Sequence, residues 1–167
     1  MKRRKISALV LFLAAVLLIG TVTFYSRADD SSASLMSRWG ARLNEYASRK
    51  TETSAQEEIN QAKEFYMLSG MDEEMAEAEA EEYMAEREVL YQKAVQSGYG
   101  VTDEDIRAYL EELKTLMDSA DNKEDVQALI DQFGTEEEYW DYQYRVYEKN
   151  LPIQNYVKDL ERQQADQ

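Results

Sequence analysis

Apolar residues return every three or four positions along most of this chain, and the polar residues between them carry helix-start and helix-stop chemistry at short intervals. The densest example is residues 86–106, EREVLYQKAVQSGYGVTDEDI. Val89, Leu90, Ala94 and Val95 give one helix an apolar face, and Gly98 supplies the left-handed residue that stops it. Thr102 then opens the next helix with Asp105 at its third position, while Val101 and Ile106 stand at staple spacing around the cap. Two helices must meet there at a defined corner.

The same grammar extends in both directions. Ser54 and Glu57 form a capping box for a helix through Leu68, with Ile59, Ala62 and Tyr66 on one face and Gly70 as its stop. Asp72 caps a long helix to about Ser97 that packs through Met75, Ala76, Ala80, Tyr83, Met84, Leu90 and Ala94. Arg87 falls on or beside this stripe and reads as a snorkelling or ion-paired side chain. A helix from Asp103 to about Ser119 presents Ile106, Tyr109, Leu110, Leu113 and Met117. Asp121 or Asn122 starts a short helix carrying Val126, Leu129, Ile130 and Phe133, closed by Gly134, and Thr135 with Glu138 opens the last one.

That last helix holds six of the chain's 18 aromatic residues, and Pro152 predicts a kink or break within it. Tyr139, Tyr142 and Val146 share one face; Trp140, Tyr144, Tyr147 and Leu151 share another. One helix cannot bury both against a single neighbour. Either other helices cover both faces, or Trp140, Tyr144, Tyr147 and Leu151 form an exposed strip for a partner or an unfolded client.

Ahead of these helices, MKRRK precedes an uncharged apolar run at residues 6–24, long enough to cross most of a bilayer core. Basic residues before the run and acid after it, at Asp29 and Asp30, orient everything beyond it outside the cytoplasm. Ser26-Arg27-Ala28 also has the small-x-small form of a signal peptidase site, so residues 1–28 read as a signal anchor or a signal peptide, the length of the run favouring the anchor. Residues 29–53 read as a juxtamembrane linker followed by a short amphipathic helix marked by Leu35, Trp39, Leu43 and Tyr46. A helical domain then spans residues 54–162 and a tail spans 163–167.

Composition narrows the chemistry. Residues 1–28 contain five of the 19 basic residues and none of the 34 acidic ones, which leaves the rest of the chain at −20. Such a surface repels phosphate backbones and anionic headgroups, so no nucleic-acid partner is expected. The acidic runs Asp103-Glu104-Asp105 and Glu136-Glu137-Glu138 occupy first helical turns, where the helix dipole favours them. With no His and no Cys, the chain lacks the commonest general base, thiolate ligands and disulfides. Residues 121–125, DNKED, lack the central Gly and terminal Glu of a calcium loop, and the six Gly form no phosphate loop. No catalytic residue, cofactor or metal is expected.

The A-x-x-x-G stop followed by V-T-D-E-D-I, together with KEFYMLSGMD at residues 63–72 and the stretch at 133–157, resembles the N-terminal chaperone domain shared by SurA and PrsA type extracytoplasmic folding factors. The likeness covers about residues 54–160 and implies an all-α domain of five or six helices behind the N-terminal membrane or signal helix. Lipid-anchored relatives carry a cysteine that this chain does not have. The parvulin-type prolyl isomerase domain often joined to this unit has no counterpart in residues 161–167, so isomerase activity is not carried over.

The function this implies is an ATP-independent, holdase-like chaperone outside the cytoplasm. It would bind unfolded or partly folded exported proteins and be tethered to the membrane by its N-terminal helix, or secreted after cleavage near Ala28. The alternative is a membrane-anchored assembly subunit that binds one folded partner or itself, with homo-oligomerisation left open.

Overall fold

The computed structural model describes residues 32–48, 54–118, 120 and 123–165, and among these every regular element is a helix. The elements are α1 (Ser32–Ser48), α2 (Ala55–Leu68), α3 (Glu73–Gln96), α4 (Asp103–Asp118), α5 (Lys123–Ile130) and α6 (Glu136–Ala165).

Local chemistry explains their ends. The Ser54 hydroxyl accepts from the Glu57 amide at 3.2 Å and the Glu57 carboxylate accepts from the Ser54 amide at 2.9 Å, closing the capping box of α2. Thr102 with Asp105 and Thr135 with Glu138 repeat it at α4 and α6. Asp72 caps α3 by accepting from the Met75 amide at 3.0 Å. Two helices stop at a left-handed glycine: Gly70 has φ 104° and Gly98 φ 88°. At each, the glycine amide bonds back three residues and the next amide bonds back five, from Met71 to Tyr66 and from Tyr99 to Ala94. From α2 to α6 every helix carries acid in its first turn, where the macrodipole rewards it.

α6 is the axis of the packing. The α2–α3 hairpin lies on one side of it, chiefly through α3, and α4 lies on another, while α1 crosses α5 and also meets α2 and α6. α3 and α4, although consecutive, do not pack chiefly on each other: α3 pairs with α2 and then with α6, and α4 chiefly with α6. The core between them holds Trp39 and Leu43 of α1, Phe65 of α2, Ala76, Ala80 and Tyr83 of α3, Leu110 and Leu113 of α4, and Tyr139 and Tyr147 of α6. Burial of the aliphatic and aromatic side chains among these, the alanines apart, is worth roughly 1.5–3 kcal/mol each.

Four sequence expectations change. The helix expected inside residues 29–53 belongs to the core: Met36, Trp39 and Leu43 are buried, and the Trp39 ring meets Phe65 edge-on at 5.1 Å. The core of the described residues therefore includes α1. In α3, Leu90 is half-buried and Met75 and Val89 are more than half exposed, and the buried residues are Ala76, Ala80, Tyr83 and Ala94. Its outer end is held instead by α6, through the Tyr99 hydroxyl on Asp159 and the Tyr99–Tyr156 ring contact at 5.5 Å. α6 continues through Pro152 without a break; the buried ring removes one amide donor, but neighbouring helices hold the segment on both sides. Finally, α5 ends at Ile130, well before Gly134, which leaves room beside the Glu138 carboxylate: a β-carbon there would lie 2.5 Å from Glu138 Oε2.

Among the described residues no helix is long and apolar enough to cross a membrane. The run at residues 6–24 and the expected start of α5 at Asp121 or Asn122 lie outside the described residues.

Candidate functional site

The strip expected on α6 is not at the surface. Trp140, Tyr147 and Leu151 are buried and Tyr144 is half-buried against the core. α4 is the second neighbour that covers them. Tyr109 stacks at a tilt on Tyr147 with 5.0 Å between ring centroids, Arg107 lies 5.2 Å over Tyr144, and Lys114 lies 5.0 Å over Trp140. The Trp140 indole donates to Glu136 at 3.0 Å, and Tyr109 donates to Gln154 at 2.9 Å. Burial pushes the Tyr147 phenol well above its ordinary value, so it remains neutral in the fold. Of the two alternatives for this face of α6, the burial of these four residues agrees with the one in which other helices cover it.

On the other face of α6 the structure opens a cleft of about 90 Å³ at the convergence of α2, α3 and α6, with Tyr46 of α1 at its rim. Glu58 enters from the first turn of α2 and Arg87 from the stripe of α3. Their side chains retain 22% and 11% of their surface, and Arg87 Nη1 lies 3.5 Å from Glu58 Oε2. Arg87 Nε donates to Oδ1 of the fully buried Asn150 at 2.9 Å, which ties α3 to α6. Lys149 reaches Glu58 at 3.3 Å and Glu88 at 3.9 Å.

The remaining polar wall comes from α2 and α6. Gln61 donates to the Tyr142 phenol, whose pKa burial pushes up to about 12. Arg145 stands over the Tyr142 ring at 5.8 Å and donates to the Ala47 carbonyl at 3.4 Å, placing a cation at the C-terminal end of α1. The cleft is rich in donors and poor in acceptors. Of its charged members, only Arg87 stood out in the sequence, as a charge beside an apolar stripe. Residues 58, 87, 142 and 145 share no local motif.

A second surface feature lies at the α2–α3 corner. Met67 and Met75 are 41% and 54% exposed, with Leu68 and Met71 half-buried between them in sequence. Lys63 clamps this corner, donating to Glu77 at 2.9 Å and Glu73 at 3.0 Å. Its pKa is raised, first by the Glu77 bond and then by Glu73.

Compared with models of known protein families, with curated proteins and with solved structures, the chain has no match.

Proposed function

We propose that this domain binds non-native polypeptide outside the cytoplasm as an ATP-independent, holdase-like chaperone related to the SurA and PrsA N-terminal unit, tethered through the apolar run at residues 6–24. The observation that carries the reading is the exposed methionine pair at the α2–α3 corner. Methionine is flexible and polarizable, so a methionine surface adapts to many apolar sequences without a fixed pocket. The helix corner at Gly98–Thr102, on which the family resemblance rests, has the stop and capping box that resemblance requires, which supports the reading without carrying it. The role first sketched for the α6 aromatics passes to Met67 and Met75.

Light scattering from an aggregating, apolar-rich client tests this. The full chain slows aggregation without ATP, and Met67→Ser with Met75→Ser abolishes the effect while the thermal midpoint stays unchanged. No slowing by the unsubstituted chain refutes the proposal. Capture of one folded partner at fixed stoichiometry assigns the chain to the assembly-subunit class instead.

A further inference from the structure

We propose that the outward face of α3 is a docking seam for a second helix with basic flanks, supplied by the bound polypeptide. α3 carries apolar residues on two faces. Ala76, Ala80, Tyr83 and Ala94 meet the core, whereas Met75, Ala78, Glu82, Ala85 and Val89 lie on the opposite side. The steps between members of this outer set are three, four, three and four residues, and Gln92 and Gln96 continue them, so the face holds a seven-residue repeat over three heptads. Every position of the repeat is exposed. Met75 and Val89, at 54% and 53%, are the two most exposed large apolar side chains among the described residues, and both stand on it. Such spacing presents holes for the side chains of an incoming helix, and Ala78 and Ala85 leave room for it between the two larger residues.

The flanks identify the occupant. On either side of the seam stand Glu74, Glu79, Glu81, Glu86 and Glu88, with Lys93 at the C-terminal end. Acids of α3 that face other helices are matched: Glu73 and Glu77 by Lys63, and Glu88, more loosely, by Lys149 at 3.9 Å. Glu74, Glu79, Glu81, Glu82 and Glu86 have no ion pair among the described residues. A second copy of α3 would set Glu against Glu along most of the flanks, whether the two helices ran parallel or antiparallel, so the seam disfavours self-association. An incoming helix with Lys or Arg on its flanks meets acid on both sides instead. Glu82, the one charge on the seam itself, selects Lys or Arg opposite it and thereby fixes the register. Two large apolar residues and two alanines bury little area, so the contact is weak and reversible, and the rim charges govern encounter and selectivity. This inference rests on the polypeptide-binding reading, shares Met75 with it, and names the substrate class: segments that form a basic amphipathic helix.

Fluorescence anisotropy of the full chain with three labelled peptides tests it: a heptad peptide with Leu on its seam and Lys on its flanks, the same peptide with Glu on its flanks, and a scrambled form of the first with equal charge. The ordered basic peptide binds about tenfold tighter than either of the others, the size expected of three exposed ion pairs, and added salt narrows its lead over the acidic one. Glu81→Gln, Glu82→Gln and Glu86→Gln together remove the preference with an unchanged thermal midpoint. Glu104→Gln, Glu111→Gln and Glu112→Gln on α4, the same change in net charge, leave it intact. Scrambled peptide binding as tightly as ordered, equal loss in both triple variants, or no binding overturns the proposal. So does a dimer of the unliganded chain that Val89→Glu dissociates, which gives the seam to a second copy. Client protection that persists while all three peptides bind alike sinks this inference alone; preference for the ordered basic peptide without client protection sinks the chaperone reading alone.

Discussion

Gly40 of α1 lies against Leu129 of α5 so closely that a β-carbon on the glycine would sit 2.3 Å from the Leu129 carbonyl oxygen and 2.9 Å from its α-carbon. Both neighbours are backbone and cannot swing aside. The contact sets how deeply Trp39 and Leu43, one residue before and three after, enter the core. It yields a prediction whose sign is informative. In a free helix Gly→Ala stabilises by about 1 kcal/mol, but here the overpacking term of roughly 1–3 kcal/mol opposes it. Gly40→Ala therefore lowers the denaturant midpoint; a raised midpoint would show that α1 and α5 separate at no cost.

Trp140→Ala and Tyr147→Ala each destabilise by about 3–5 kcal/mol, because both rings fill space between α6 and α4. The triple variant with Tyr144→Ala loses its cooperative unfolding transition in circular dichroism. Retention of a native melt by that variant would return these side chains to the surface.

Leu110→Ala and Leu90→Ala separate core from overhang. Leu110 is 5% exposed within the main cluster and its truncation costs about 2–5 kcal/mol. Leu90, half-buried beyond that cluster, costs about 1 kcal/mol, in line with ordinary substitutions outside a core. Urea midpoints of the two variants give the comparison.

Arg87→Ala costs about 3 kcal/mol, the lower end for breaking a buried ion pair, since Glu58 keeps part of its surface in solvent. Adding Glu58→Gln to it recovers part of the loss by removing the stranded charge. A double variant no more stable than the single one would deny the coupling.

Stability falls on the alkaline side. Burial first of all raises the phenols of Tyr66 and Tyr142 from 10.0 to about 12, and it holds those of Tyr139 and Tyr147 well above their ordinary value. Above pH 10 the unfolded chain releases these protons while the fold retains them, so the stabilising difference is complete below pH 10 and is lost as pH rises toward and through 12. Thermal midpoints measured from neutral pH upward should drop in that window. On the acid side, Asp105, held down mainly by the Thr102 hydroxyl, and Asp159, held down mainly by Tyr99, lose their contribution only as pH falls below 3.8 through their folded values.

Short-range chemistry made most of these helices legible in the chain itself. Ser54 with Glu57, Asp72, Gly98, Thr102 with Asp105, and Thr135 with Glu138 each act within three or four residues, so spacing alone reveals them. What spacing could not reveal was which surface each helix meets. Trp140 and Tyr147 pointed to a second face, but the residues covering it, Arg107, Tyr109 and Lys114, lie in another helix with no pattern that names its partner. α1 looked peripheral for the same reason: Gly40 reads as a weak helix residue until Leu129 is placed beside it. The arginine cleft was the least legible, because it joins residues 58, 87 and 145 from three helices.

The central place of α6 also bears on the order in which the molecule can assemble. Its core residues, from Tyr139 to Leu151, are synthesised after those of every other described helix. Until they emerge, α2 can pair with α3 and α1 with α5, but α3 and α4 lack the surface that joins them, and the faces that α6 covers stay open. The joining of the α2–α3 pair, α4 and the α1–α5 pair into one core therefore waits for the last helix of the described chain.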